Sequence, residues 1–185
     1  MPMTHAHDIC TCICPSLLEQ VGTLHVHLSR AVGLRHVGLA HTREPDAAVA
    51  LTLGASFGGP PAVWSSVISR SAQPTWSADF AFPVDAASLL TDGARGPGDG
   101  LTIEAWHHDG ERSESLGRGC IDVRVLVAST GLGRGEPIPC SAQLADGQPT
   151  PAEVYLTLAW EGPASCEPST GSLVSDEAGA KHQLL

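Results

Sequence analysis

Lysine is almost missing from this 185-residue chain. Lys181 is the single one, and the ten basic residues face 20 acids, for a net charge of -10. An acidic surface repels nucleic-acid phosphates and anionic lipid headgroups alike, which excludes a nucleic-acid-binding protein. Charged residues are scarce as a class, at 16%, while apolar residues at 42% suffice for a core. No apolar run approaches the ~20 residues of a membrane-spanning helix. The opening "MPMTHAHDICTCICPSLLEQ" has neither a basic lead nor a long apolar stretch, so it does not read as a secretory signal. The six cysteines (Cys10, Cys12, Cys14, Cys120, Cys140, Cys166) lack framework spacing and three crowd the beginning of the chain. In a cytoplasmic protein these stay thiols, so no disulfides are expected.

What is present is alternation. "TLHVHLS" sets Leu24, Val26 and Leu28 against His25 and His27; "AAVALTLG" does the same with Val49, Leu51 and Leu53. Phe80 and Phe82 alternate in "DFAFPV", as do Ile121, Val123 and Val125 in "CIDVRVLV". "EVYLTLAW" carries Val154, Leu156, Leu158 and Trp160 on one side, and "LTIEAW" carries Leu101, Ile103 and Ala105. Short strands bounded by Gly, Pro, Asp and Ser predict an antiparallel sandwich. The best helical stretch, "DAASLL" at 85–90, is one or two turns long. Residues 1–21 read as a flexible leader, 22–161 as the domain, and 162–185, small, polar and aperiodic, as a disordered tail.

The order of five blocks points further. "GTLHVHLSRAVGL" has an apolar alternation followed by Ala31 and Leu34, and "PDAAVALTLG" places Asp46 and Val49 at the head of a strand. In "SAQPTWSADFAF", Pro74, Trp76, Phe80 and Phe82 match the pattern Asn-Pro-x-Trp-Asn-Glu-x-Phe-x-Phe, with Gln73 for the asparagine. "LTIEAWHHDGERSESLGRGCIDV" and "AEVYLTLAWEG" follow. In order and spacing this series resembles the C2 domain family across residues 22–161. The resemblance implies an all-β, eight-stranded antiparallel C2-type sandwich of type II connectivity, with Trp76, Phe80 and Phe82 enclosed between the sheets.

The resemblance also implies a metal site in three loops at one end, with about five carboxylates. Two family positions match here, Asp46 in loop one and Asp109 in loop three. The first loop-three acid falls at His107 and the last near Ser115; Glu44, Glu111 and Glu114 are the substitutes within reach. Loop three is expected to begin where the strand ends, at Trp106. Calcium takes 6 to 8 oxygens, several of them anionic, so a tip this poor in carboxylate is expected not to form a functional calcium site. His36, His41, His107 and His108, with Asp46 and Asp109, raise zinc or a proton-sensing cluster as the other chemistry. Solvated loop histidines are the simpler reading, and no cofactor is expected.

Family members that bind phosphoinositides do so through a lysine-rich strand; the corresponding "WSSVISRS" offers Arg70 alone. Within 22–161 nine arginines face fifteen acids, a charge of -6. Cys10, Cys12 and Cys14 in "HDICTCICPS" are positions for reversible acylation, two chains anchoring where one does not. An unmodified tail is the alternative. Chelation of a soft metal by these thiols with His5 and His7 is the weaker idea, because ligands so close in sequence rarely close a tetrahedron.

The glycines of "VRVLVASTGLGRG" do not make a dinucleotide loop, because Pro137 and Pro139 forbid the helix that must follow. No nucleophile stands at a recognisable spacing from His107 and His108. The expectation is a non-enzymatic, calcium-independent interaction module in the cytoplasm, an adaptor or scaffold with a protein partner. The competing expectation is a peripheral membrane module, by weak calcium-dependent phospholipid binding or N-terminal acylation.

Overall fold

A computed structural model of the chain describes residues 21–35, 43–58, 60–90, 100–110, 112–124, 135–145 and 151–163. The strands are β1 (Val21–Val32), β2 (Ala47–Leu53), β3 (Val63–Trp64), β4 (Thr75–Asp85), β5 (Leu101–Asp109), β6 (Arg112–Ile121), β7 (Ile138–Leu144) and β8 (Ala152–Glu161). They form two antiparallel four-stranded sheets, ordered β4-β1-β8-β7 and β3-β2-β5-β6. This is the expected all-β, eight-stranded sandwich. Helix α1 (Ala86–Leu90) lies at the expected place, and Asp85 caps it by accepting from the Ala87 N–H at 3.0 Å and the Ser88 hydroxyl at 3.2 Å.

Period two decides which side chains meet between the layers. Leu24, Val26 and Leu28 of β1 and Val154, Leu156, Leu158 and Trp160 of β8 face Val49, Leu51 and Leu53 of β2 and Leu101, Ile103 and Ala105 of β5. Each fully buried Leu, Val or Phe side chain contributes roughly 1.5–3 kcal/mol relative to exposure. Phe82 is fully buried and Trp76 nearly so, whereas Phe80 is half-buried at the margin of the core. Trp76 also donates its indole N–H to the Ser66 carbonyl at 2.9 Å, which pins the loop after β3 to β4.

Four local expectations are corrected. β5 does not stop at Trp106 but runs on to Asp109, because a tight turn at Gly110 (φ 58°) lets His107, His108 and Asp109 keep pairing with β6. "WSSVISRS" is not a full strand: β3 has two residues, and only Ile68 returns to bridge Ala47. In "CIDVRVLV" the strand β6 ends at Ile121: Val123 and Arg124 are helical, the Asp122 carboxylate accepting the Arg124 N–H at 3.0 Å, and Val125 lies outside the described residues. "AAVALTLG" alternates, but its outward Ala48 and Ala50 are buried as well. They stand in register with Trp106 and Trp64, whose indoles dwarf a methyl group.

Two glycines are required by close approach. A Cβ at Gly22 would meet the Trp160 ring and the Glu161 carbonyl, and one at Gly119 would lie 2.7 Å from the Gln143 carbonyl. At the second site β6 passes β7, where Arg118 and Ala145 form the bridge that joins the two sheets at one side.

Candidate functional site

The loop tip is built by β1, β2, β5 and the segment after β3. At Gly33 (φ 74°) the chain leaves β1, and Leu34 is fully buried while its N–H reaches the Ala72 carbonyl at 3.1 Å. Ala47 and Ile68 exchange a pair of 2.8 Å backbone bonds, and the Ser71 N–H donates to the Pro45 carbonyl at 3.0 Å. The first two loops are thus laced together by their own main chains.

Asp46 stands at the crossing point. Its Oδ1 accepts the Arg70 N–H at 2.7 Å, holding Arg70 in a left-handed turn (φ 52°). Its own N–H donates to Nδ1 of His107 at 3.0 Å, and its carbonyl accepts the His108 N–H at 2.9 Å. Nδ1 of His107 is therefore an acceptor, which places the proton of the neutral ring on Nε2. A metal ion needs a bare ring nitrogen, and this arrangement leaves none on His107.

The other sequence-predicted positions are spread around this point. Glu44 and Asp109 are exposed, Asp109 opposite Arg112 across the tight turn. Glu114 is half-buried on β6 in register with His107. His108 shares a 3.1 Å hydrogen bond with the Ser113 hydroxyl and packs edge-on against Trp64, ring centroids 5.7 Å apart. Asp46 and His107 are thus hydrogen-bonded, with Glu114 opposite His107 in the β5–β6 register and Asp109 opposite Arg112. Among the described residues no three His, Cys, Asp or Glu side chains are placed to hold a metal ion. His36, His41, Glu111 and the leader cysteines Cys10, Cys12 and Cys14 lie outside the described residues.

Two surfaces were not singled out from the sequence. On the outer face of the second sheet, Trp64 is 48% exposed with its ring 6.1 Å from that of Trp106, and Val67 is similarly exposed nearby. The outer face of the first sheet carries His25, bonded to Glu161 at 3.2 Å, and His27, bonded to Asp79 at 2.7 Å. Alternation alone places both histidines opposite Leu24, Val26 and Leu28. Their carboxylate partners come from strands far away in sequence, and no local pattern announces them. Cys120 and Cys140 are free thiols; Cys140 is half-buried, and burial pushes it up to about 11. No helix among the described residues is long and apolar enough to cross a membrane.

The C2 domain family model matches residues 22–137. Among solved structures, the A domain of plant extended synaptotagmin 1, itself a C2 domain, superposes with a TM-score of 0.57 at 20% identity, covering 77% of this chain and 96% of that domain. The calcium-bound pair of C2 domains, A and B, of extended synaptotagmin 2 gives 0.55 at 20% identity, over 75% of this chain and 45% of theirs. Human GIVD cytosolic phospholipase A2 gives 0.56 at 15% identity over 78% of this chain, which spans only 17% of that enzyme. A search of curated protein sequences gives no match. The strand order of both sheets agrees with type II connectivity.

Proposed function

Since this chain belongs to the C2 domain family, whose members are modules for protein or lipid binding, often with calcium, we propose that it is a calcium-independent, non-enzymatic interaction module, an adaptor or scaffold of the cytoplasm whose partner is a protein. The observation that carries this reading is the commitment of Asp46. The carboxylate that the family pattern would give to a metal spends Oδ1 on the Arg70 N–H, and its main chain is bonded to His107 and His108. Loop three, which should supply most of the remaining oxygens, is contracted to a tight turn between Asp109 and Arg112. The described residues do not fit an ion that requires 6 to 8 oxygen ligands. Arg70, the lone base of the segment where a lysine-rich patch would sit, gives too little charge to hold an anionic bilayer, each such residue supplying only ~1 kcal/mol.

A second reading, a peripheral membrane module, draws on the exposure of Trp64 and Val67 on and just after β3, near the loop tip. Indole and aliphatic groups partition into the headgroup region, with acylation of Cys10, Cys12 or Cys14 as a further anchor.

Calorimetric titration with calcium and co-sedimentation with phosphatidylserine vesicles, each with and without calcium, test the pair. The first reading expects no heat of calcium binding below millimolar concentration and no pelleting. Micromolar calcium uptake, or strong calcium-dependent pelleting of the unacylated protein, would overturn it.

A further inference from the structure

The outer face of the first sheet has a relief set by side-chain size. On β8 the outward positions Thr157 and Ala159 are small. Their register partners on β1 are the taller His27 and His25, and on the other side stand Pro139 and Pro137. A trough therefore runs along β8 between a ridge of imidazoles and a ridge of prolines. Two adjoining clefts of about 440 and 220 Å³ occupy it, sharing His25, Pro137 and Ala159 as lining.

The carboxylates lining the two clefts are matched by no arginine or lysine among the described residues of that lining. Glu136 and Glu161 line the larger cleft and Asp79 the smaller one. In the described part of these four strands Arg30 is the one arginine or lysine, and it lies over the Tyr155 ring, 4.9 Å from the centroid, toward the other end of β8. Each imidazole gives its N–H to a carboxylate, His25 to Glu161 and His27 to Asp79. Those bonds orient the rings as a wall and keep the carboxylates on the rim of the trough. A small-residue floor, proline and imidazole walls and a carboxylate end suit an extended chain that carries a cation.

We propose that this trough is the docking groove for an extended, arginine- or lysine-bearing segment of a partner protein, the backbone lying over Thr157 and Ala159 and the cation between Glu136 and Glu161. The proposal rests on the reading of the domain as a protein-interaction module and names the surface and the partner's chemistry. Its driving force is charge complementarity between an acidic groove and a basic segment, which acts on both encounter rate and specificity.

The test is fluorescence anisotropy of the full chain with a labelled nonapeptide of alternating arginine and alanine, beside the same peptide with glutamate for arginine. The basic peptide binds, less tightly as salt is raised, and the acidic one does not. The double variant Glu136→Lys, Glu161→Lys weakens binding by roughly tenfold or more. So does Ala159→Tyr, which fills the trough from an outward position and leaves the core alone. Glu44→Lys with Asp109→Lys, an equal change of charge at the opposite end of the sandwich, shifts binding less than about twofold at physiological salt. Absence of basic-peptide binding, equal loss in the tip variant, or an unaffected Ala159→Tyr protein would each overturn the groove. Calcium-dependent pelleting with vesicles would instead overturn the interaction-module reading, so the two failures are distinguishable.

Discussion

The main-chain N–H of Asp46 points at Nδ1 of His107 and donates to it across 3.0 Å, tying the entrance of β2 to the end of β5. The resemblance would give both positions to a metal ion. Here they satisfy each other. His107→Ala removes the acceptor and leaves the half-buried Asp46 N–H unpaired, costing about 1 kcal/mol and lowering Tm by about 2–4 °C. Because the neutral ring holds its proton on Nε2, saturating zinc leaves the Tm of the wild-type protein unchanged. A zinc-induced rise that vanishes in His107→Ala would show that the ring releases Asp46 to take a metal. Differential scanning fluorimetry reads both.

Asp46 itself separates a structural carboxylate from a metal ligand. Asp46→Asn keeps an oxygen for the Arg70 N–H and removes the charge; Asp46→Ala removes both. A structural role predicts that the alanine variant loses about 1–2 kcal/mol while the asparagine variant retains most of the stability. Urea unfolding curves decide between them. A large stability gain for wild type but not Asp46→Asn on adding millimolar calcium would instead assign the carboxylate to an ion.

Trp76 does two jobs that mutation can split. Its ring fills space between the sheets, and its N–H holds the Ser66 carbonyl at 2.9 Å. Trp76→Phe keeps most of the apolar volume and gives up the hydrogen bond, an expected loss of about 1 kcal/mol plus a smaller packing defect. Trp76→Ala opens a cavity and costs about 3–5 kcal/mol. If chemical denaturation gives equal losses for the two, the ring volume is not what matters here.

The parts that could be read from the sequence are those set by local repetition. Leu24, Val26 and Leu28, or Val154, Leu156 and Leu158, declare their inward face because a pleated strand alternates, and Pro137 with Pro139 declares that no helix follows. The contraction of loop three was hidden in the same stretch. His107 and His108 are polar and resemble a turn, yet pairing of β5 with β6 holds them in the strand once Gly110 takes up the reversal. What stayed out of reach is non-local. Nothing near Asp46 tells that its oxygen will find Arg70, 24 residues on, and nothing near His25 tells that Glu161 will stand beside it, 136 residues away. Such pairs follow from strand order and register, which come from the whole core rather than from any segment of it.

Cys140 provides a prediction at alkaline pH. Burial raises its thiol to about 11 from an ordinary 9.0, against a smaller opposing effect of a backbone hydrogen bond with Leu158. The unfolded chain therefore loses this proton at a lower pH than the folded one. The stability this group lends is whole below about pH 9 and disappears as the pH climbs toward 11. The group is only half-buried, so solvent screening reduces the effect to about 1 kcal/mol. The Tyr155 hydroxyl, raised chiefly by its hydrogen bond to Glu153, pushes in the same direction, so wild type alone cannot assign the slope. Comparison with Cys140→Ala does. Unfolding free energies measured at pH 8.5 and 10.5 under reducing conditions should fall more steeply for wild type than for the variant, and parallel lines would mean that Cys140 meets water as freely in the folded protein as in the unfolded chain.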